Sequence, residues 1–317
     1  MKKIIALMLV IALALAFAAC NAKPSEETTA TTTTAVSTET EAETTTVATT
    51  TATETTTVET TTTTTTEETT TTATTAEPEP EKLDFVTLAD VDFTDGKVTD
   101  ACGLLDFYSV KGSVGKVNVT HAGKQYTVDA YSVTKKGEAA MAKIDSLKTA
   151  EETQTFFDRS FTVEAFYINR AKANAVEAVF CGTERGGWGL ADDAGGKPYF
   201  IIGVNRDNTY KSVKPGRVIS NTDITHVIAV FDKDLESVRI YINGVFAGEQ
   251  DASGSFYSMK TPYHNVLTLG ADVTDKGAAG HFQATDMTIV DAKIYLGALG
   301  DSDAELAYKL AVDALEK

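Results

Sequence analysis

Between residues 28 and 76 roughly three residues in five are threonine, interrupted by glutamate, alanine, valine and one serine. So few large apolar side chains cannot offset the entropy of ordering a backbone, and the tract is predicted not to fold. Any hydrophobic core is thereby confined to residues C-terminal of the tract. Glu77-Pro78-Glu79-Pro80 then stiffens the junction, because each proline fixes its own φ. As a flexible coil of about 60 residues the segment would span roughly 40–45 Å. Its composition suits an O-glycosylated stalk, with a bare spacer as the alternative. Residues 83–317 are enough for one domain with a substantial core.

The other end of the tract meets a different pattern. Lys2-Lys3 precedes an apolar run over residues 4–17, short for a membrane span and the right length for the h-region of a signal peptide. The run closes on Phe17-Ala18-Ala19-Cys20, which resembles the bacterial lipobox, with Phe17 where leucine is usual. That resemblance implies a signal peptide over 1–19 and lipidation of Cys20. It further implies a lipoprotein anchored to the outer face of the cytoplasmic membrane and displayed at the cell surface. Plain secretion is the alternative. Residues 20–82 are then the disordered stalk and 83–317 the folded domain.

The formal net charge is −17. Residues 20–82 carry 12 acidic and 2 basic side chains, which leaves 83–317 near −9. Simple electrostatic affinity for nucleic acid is thereby disfavoured. Besides Cys20 there are two cysteines, Cys102 and Cys181, too few for a disulfide scaffold and without metal-ligand spacing. They read as small buried side chains, with a disulfide or a reactive thiol as alternatives.

Beyond residue 82, runs of alternating apolar and polar residues recur at 126–133, 161–169, 176–181, 199–204, 225–231, 237–242, 266–269 and 286–296. Period two and enrichment in Val, Ile, Phe and Tyr predict strands. Asn243-Gly244 between two such runs is the strongest short hairpin signal in the chain. Many short strands punctuated by turns predict an all-β sandwich of jelly-roll type. One short C-terminal helix is expected, capped by Ser302 with Glu305 reaching back, and apolar along Leu306, Leu310, Val312 and Leu315. Segment 138–150 fits either a short helix or a strand and loop.

Taken in order, these runs are similar to the laminin-G-like group of concanavalin-A-like sandwiches. The resemblance rests on Phe161-Thr162-Val163-Glu164-Ala165-Phe166, Gly187-Trp188-Gly189-Leu190, Thr225-His226-Val227-Ile228-Ala229-Val230-Phe231-Asp232, 238–248, Leu267-Thr268-Leu269-Gly270-Ala271 and 290–299. Phe93-Thr94-Asp95-Gly96 suggests the opening strand. Phe166 and Ile224 stand where tryptophan is common in that family. The resemblance implies a jelly-roll fold but no ligand, since the fold carries lectins, adhesion modules and glycosidases. It also implies a structural calcium between the opening strand and the last long one, held by Asp95, the Gly96 carbonyl and Asp291.

Catalytic chemistry finds little footing. Glycosidases of this fold place carboxylates at alternate positions of one strand, and Glu164 has no acidic neighbour at 162 or 166. Glu164 is therefore expected on the surface side of its strand, and His226 in a structural position facing the neighbouring sheet. For ligand binding the residues singled out are Trp188, Tyr199, Asp192 and Asn205, with Tyr210, Asp193 and Asp207 beside them. Flat rings beside amides and carboxylates suit sugar faces, whereas Trp188 in a strand motif equally suits the core. The expected function is a non-catalytic module binding an extracellular carbohydrate or surface protein. An envelope assembly component, or a polysaccharide hydrolase or lyase, is the alternative.

Overall fold

In the computed structural model the described residues are 81–171, 175–183, 185–258 and 260–317. Cys20, the expected signal peptide and the threonine tract lie outside them. In chain order the first half of the domain holds β1 (Val86–Asp92), β2 (Thr99–Asp100), β3 (Asp106–Lys111), β4 (Ser113–His121), β5 (Lys124–Val133), β6 (Ala139–Lys143), helix α1 (Ala150–Phe157) and β7 (Phe161–Asn169). The second half holds β8 (Glu177–Thr183), β9 (Gly187–Asp193), β10 (Lys197–Gly203), β11 (Tyr210–Val213), β12 (Thr225–Asp232), β13 (Ser237–Ile242), β14 (Val245–Asp251), β15 (Val266–Leu269), β16 (Met287–Leu296) and helix α2 (Asp301–Ala314).

The strands form two antiparallel sheets. The first runs β14-β13-β12-β7-β16-β1-β2, with the β4–β5 hairpin joined to β16. The second runs β11-β10-β9-β8-β15-β6-β3. Alternate residues of both sheets meet in one core. From the first come Phe161, Val163, Tyr167, Val227, Phe231, Ile240 and Ile294; from the second come Phe180, Trp188, Leu190, Phe200, Ile202 and Leu269. Burial of this much aromatic and branched aliphatic surface is the force that holds the sandwich together.

The turn between β13 and β14 has φ of 51° at Asn243 and 74° at Gly244, the left-handed pair that a two-residue hairpin needs. A Cβ at Gly244 would lie 3.1 Å from the Glu305 Cα and the Tyr308 Cβ, so the turn is also pressed against α2.

One helical expectation needs correction. The cap of helix α2 lies two residues before the expected one: Gly300 is the N-cap, and its N–H donates to the Asp303 carboxylate at 3.0 Å. The buried stripe is Ala304, Ala307, Ala311 and Leu315, while Leu306, Leu310 and Val312 are half-buried. Small side chains let the helix approach closely over the outward face of the first sheet. Segment 138–150 resolves into β6 and a loop, and the helix follows it as α1. There Thr149 Oγ1 accepts from the Glu152 N–H and the Glu152 carboxylate accepts from the Thr149 N–H, both at 3.1 Å. Cys102 is exposed and Cys181 buried, and neither is in a disulfide.

Candidate binding face

A sandwich has two outward faces, and here they differ. Helix α2 and the β4–β5 hairpin cover the outward face of the first sheet: Ala311 and Leu315 pack with Val119, Phe166, Ile168 and Ile224. A second cluster joins Ala304 and Ala307 to Ile228, Val230, Tyr241 and Tyr295.

Beneath that cover sits a charged row. The register places Asp90, Lys293 and Glu164 side by side on β1, β16 and β7. The β16 bulge between Ile289 and Asp291 puts Asp291 on the same outward face as Lys293. Lys293 Nζ is 3.9 Å from Asp90, 3.8 Å from Glu164 and in contact with Asp291. Glu164 Oε1 is 3.1 Å from His226 Nε2, and the Tyr295 hydroxyl donates to Glu164 Oε2 at 2.7 Å. Burial alone would raise the Glu164 carboxyl. The His226 contact, then Lys293 and Tyr295, outweigh it and hold the group well below the usual carboxylate range.

Glu164 is thus not the surface residue the sequence suggested, being 1% exposed. His226 does not face the other sheet. It lies under α2, its ring 5.7 Å from Tyr308 and 5.6 Å from Phe166. Glu164 and His226 are sealed, while the row opens to solvent at Asp90, whose side chain is 42% exposed.

The calcium residues do not fit a cage. Asp95 is exposed in a 3-10 turn with φ 55°, and the Asp291 carboxylate already has the Lys293 ammonium as its counter-ion. Among the described residues no three His, Cys, Asp or Glu side chains come together as a metal site.

Among the described residues the outward face of the second sheet is covered from β6 to β9, where the outward-pointing Cys181, Ala191 and Thr268 are buried, and opens towards β10 and β11. Tyr263, Val273 and Ala279 pack on Met141 and Val266, closing the β6–β15 end. At the β9–β11 end, Phe200 and Ile202 point into the core, so Tyr199 and Ile201 point outward and are half-buried. Ser212 lies opposite Ile201. Lys214, one step beyond the Phe200–Val213 pair, carries its ammonium 4.3 Å from the centre of the Tyr199 ring. The same ammonium donates to Asp193 Oδ2 at 3.1 Å. Burial raises the Tyr199 hydroxyl's pKa against the lowering effect of Lys214 and Ser212.

The remaining ligand candidates scatter. Trp188 is 1% exposed and packs on Phe180, Phe161 and Phe157 at 5.3–6.0 Å, so it is core and not a stacking platform. Its alternation with Leu190 was the signal for that. Asp192 also points inward: its carboxylate accepts from the Tyr167 hydroxyl at 2.6 Å and from Asn169 Nδ2 at 3.0 Å. Asn169 Nδ2 also donates to Glu177 Oε2 at 2.8 Å, making a buried carboxylate pair that the sequence did not reveal. Burial, with Glu177 adding to it, pushes Asp192 up to about 6 against the pull of Tyr167 and Asn169. Asn205 is exposed at φ 63°, and it clamps the β10–β11 turn to the 252–258 loop by exchanging two hydrogen bonds with Ser255. Asp207 is exposed in that turn, and Tyr210 is half-buried opposite Gly203. Of the four named ligand residues only Tyr199 projects from the outward face of the second sheet, Asn205 being exposed in the β10–β11 turn instead. Lys214, the partner of Tyr199, went unnoticed, because only the β10–β11 register brings them together.

The sequence pattern of the concanavalin A-like lectin/glucanases superfamily matches residues 142–304, just over half of the chain. The chain belongs to that superfamily. Superfamily membership agrees with the architecture above, and solved structures carry the likeness further. The receptor binding domain of botulinum neurotoxin D superposes with a TM-score of 0.52 at 15% identity, over 71% of this chain and 53% of that one. The receptor binding domain of the botulinum C/D mosaic serotype gives 0.52 at 13% identity, over 70% and 51%. The serotype D ligand binding domain in complex with N-acetylneuraminic acid gives 0.51 at 13% identity, over 70% and 50%. At these identities the likeness is one of fold, and the chain spans about half the length of the structures it matches. No curated protein matches the sequence.

Proposed function

We propose that this chain is a non-catalytic surface module that binds carbohydrate on the outward face of its second sheet, around Tyr199. The observation that carries the reading is the asymmetry of the faces. Helix and hairpin occupy one, and the other keeps an outward aromatic ring beside Ser212, Lys214 and Asp193. Pyranose faces stack upon rings flanked by polar groups of this kind. Superfamily membership supports a binding role, and so does the N-acetylneuraminic acid complex of a structural neighbour.

A non-catalytic role fits the two buried acidic groupings. Glu177 and Asp192 face each other inside the sandwich at 2% and 1% exposure, and Glu164 lies under α2. No glycosidic bond reaches between them. Display at the cell surface through lipidated Cys20, with 20–82 as spacer and 83–317 as the folded unit, is part of the same proposal.

The test is a panel of polysaccharides and oligosaccharides read by calorimetry with the full chain, wild type and Tyr199→Ala, in detergent. Binding that is lost in the variant at unchanged melting temperature supports the proposal. A folded chain that binds nothing, or that binds equally well after Tyr199→Ala, overturns it. Incorporation of labelled fatty acid, abolished by Cys20→Ala, tests the anchor.

A further inference from the structure

We infer that the ligand of the Tyr199 face is an acidic polysaccharide, one bearing carboxylate or sulfate groups. This rests on the face proposed above and adds the chemistry of its occupant. The domain is acidic overall, yet residues 194–219, which build β10, β11 and their flanking loops, hold five basic side chains and one acidic one. The basic ones are Lys197, Arg206, Lys211, Lys214 and Arg217, and the acid is Asp207.

The structure sorts these five. Lys211 turns to the other sheet and pairs with Asp251 at 2.7 Å. Arg206 sits in the β10–β11 turn, with its Nε 3.4 Å from the Thr209 hydroxyl. Lys197 and Lys214 flank Asp193: Lys214 donates to it, and both ammonium charges help lower its carboxyl against the effect of burial. Arg217 is exposed in the loop that returns beside Gly196, where the Ile219 N–H donates to the Gly196 carbonyl at 2.9 Å. On the Tyr199 face two ammonium groups, those of Lys197 and Lys214, thus flank one carboxylate, that of Asp193. One anionic group from a ligand balances that excess.

The position of Lys214 sharpens the argument. A neutral sugar stacking on Tyr199 must first displace the cation from the ring, forfeiting the cation–π contact. An acidic sugar keeps that cation as its own counter-ion while its ring takes the aromatic face, and Lys197 remains to neutralise Asp193. Charge complementarity of this kind selects among ligands and speeds their capture, most of all at low ionic strength. The outward rings of this face, Tyr199 and Tyr210, stand four residue positions apart along β10 and β11, which favours a pyranose chain over a nucleic acid, whose bases want several rings in close series.

The experiment uses the full chain with four probes: polygalacturonate, a sulfated glycosaminoglycan, a neutral β-glucan and single-stranded DNA. Wild type, Lys214→Ala, Lys197→Ala/Arg217→Ala and Tyr199→Ala are compared, with melting temperature as the check on folding. Polygalacturonate or the sulfated polymer should bind, weakening about tenfold between 50 and 300 mM salt. Lys214→Ala should cost about tenfold with the acidic probes and, by removing the cation a neutral sugar must displace, should tighten rather than weaken the neutral one. Neutral β-glucan bound as tightly as the acidic polymers, through Tyr199 and indifferent to Lys214, overturns the inference and leaves the face intact. DNA bound as tightly as polygalacturonate overturns it in favour of an unspecific cationic patch. A folded chain that binds no polysaccharide overturns both proposals.

Discussion

Glu164 on β7 and His226 on β12 approach to 3.1 Å beneath helix α2, with both side chains almost wholly shielded from solvent. Such a pair is costly to break from one side, because the remaining group is left in a medium that cannot solvate it. Glu164→Ala should destabilise the domain by about 3–5 kcal/mol in a denaturant titration. A loss under about 1 kcal/mol would mean the pair contributes little.

The same carboxylate makes acid stability directional. Its folded pKa is depressed, so its contribution is present above the unfolded value near 4.5 and is lost as pH falls below it. Melting temperature should drop between about pH 4.5 and 2.5 in wild type, and by visibly less in Glu164→Gln.

Asp192 acts with the opposite sign in a different window. Its pKa is raised to about 6, so above pH 6 the folded state holds a buried charge that the unfolded chain carries without penalty. Stability should therefore rise as pH is lowered from about 7 towards 4, by an amount on the order of 2–3 kcal/mol at full effect. Asp192→Asn should abolish that slope. A wild-type profile flat across the same window would contradict the assignment.

Trp188 and Tyr199 should part company under mutation. Trp188→Ala opens a cavity among Phe157, Phe161 and Phe180 and should cost about 3–5 kcal/mol. Among the described residues the indole N–H has no hydrogen-bond partner, so Trp188→Phe should cost distinctly less. Tyr199→Ala should move stability by no more than about 1 kcal/mol, its effect falling on binding. A stability loss from Tyr199→Ala as large as that from Trp188→Ala would place Tyr199 in the core instead.

The two cysteines of the domain should report on opening. Cys181 is buried and should react with a thiol reagent only on unfolding. Cys102 is exposed, but burial of its sulfur and the nearby Asp100 and Asp90 push it up to about 11. It should label slowly at about pH 7.5 and far faster near pH 10. Intact-mass measurement of the labelled, folded chain distinguishes the two.

The strands were legible because short runs rich in Val, Ile, Phe and Tyr stand between turn signals: Phe161–Asn169, Ser237–Ile242 and Val266–Leu269 match the sequence reading residue for residue, although both faces of these strands are covered. The Asn243-Gly244 turn was legible because few residue pairs accept two left-handed conformations. Helix α1 was missed although Thr149 and Glu152 carry its cap, since eight residues give periodicity little to act upon. The start of α2 was misplaced because Gly300 and Asp303 cap it as well as Ser302 and Glu305 would.

The site was far less legible than the fold. Local pattern says that a ring is present, but only strand register says which face it occupies. Asp192 and Trp188 share one strand with outward-facing residues, and one step of alternation takes each from surface to interior. The Asp90–Lys293–Glu164 row joins residues up to about 200 positions apart, beyond the reach of spacing within one motif.

The pairing of β1 with β16 has a kinetic consequence. Val86 meets Leu296 and Val91 meets Ala292, so the outermost strands of the domain in sequence are neighbours in the sheet. Their union closes a loop of about 200 residues, whose entropy must be met before any of its hydrogen bonds forms. Neither strand is stable alone, and the charged row exists only after β16 has docked on β7 and β1 on β16. Folding should therefore be slow, on the order of milliseconds to seconds, and its transition state should already hold the two termini together. Substitutions in β1 would then slow folding far more than they hasten unfolding.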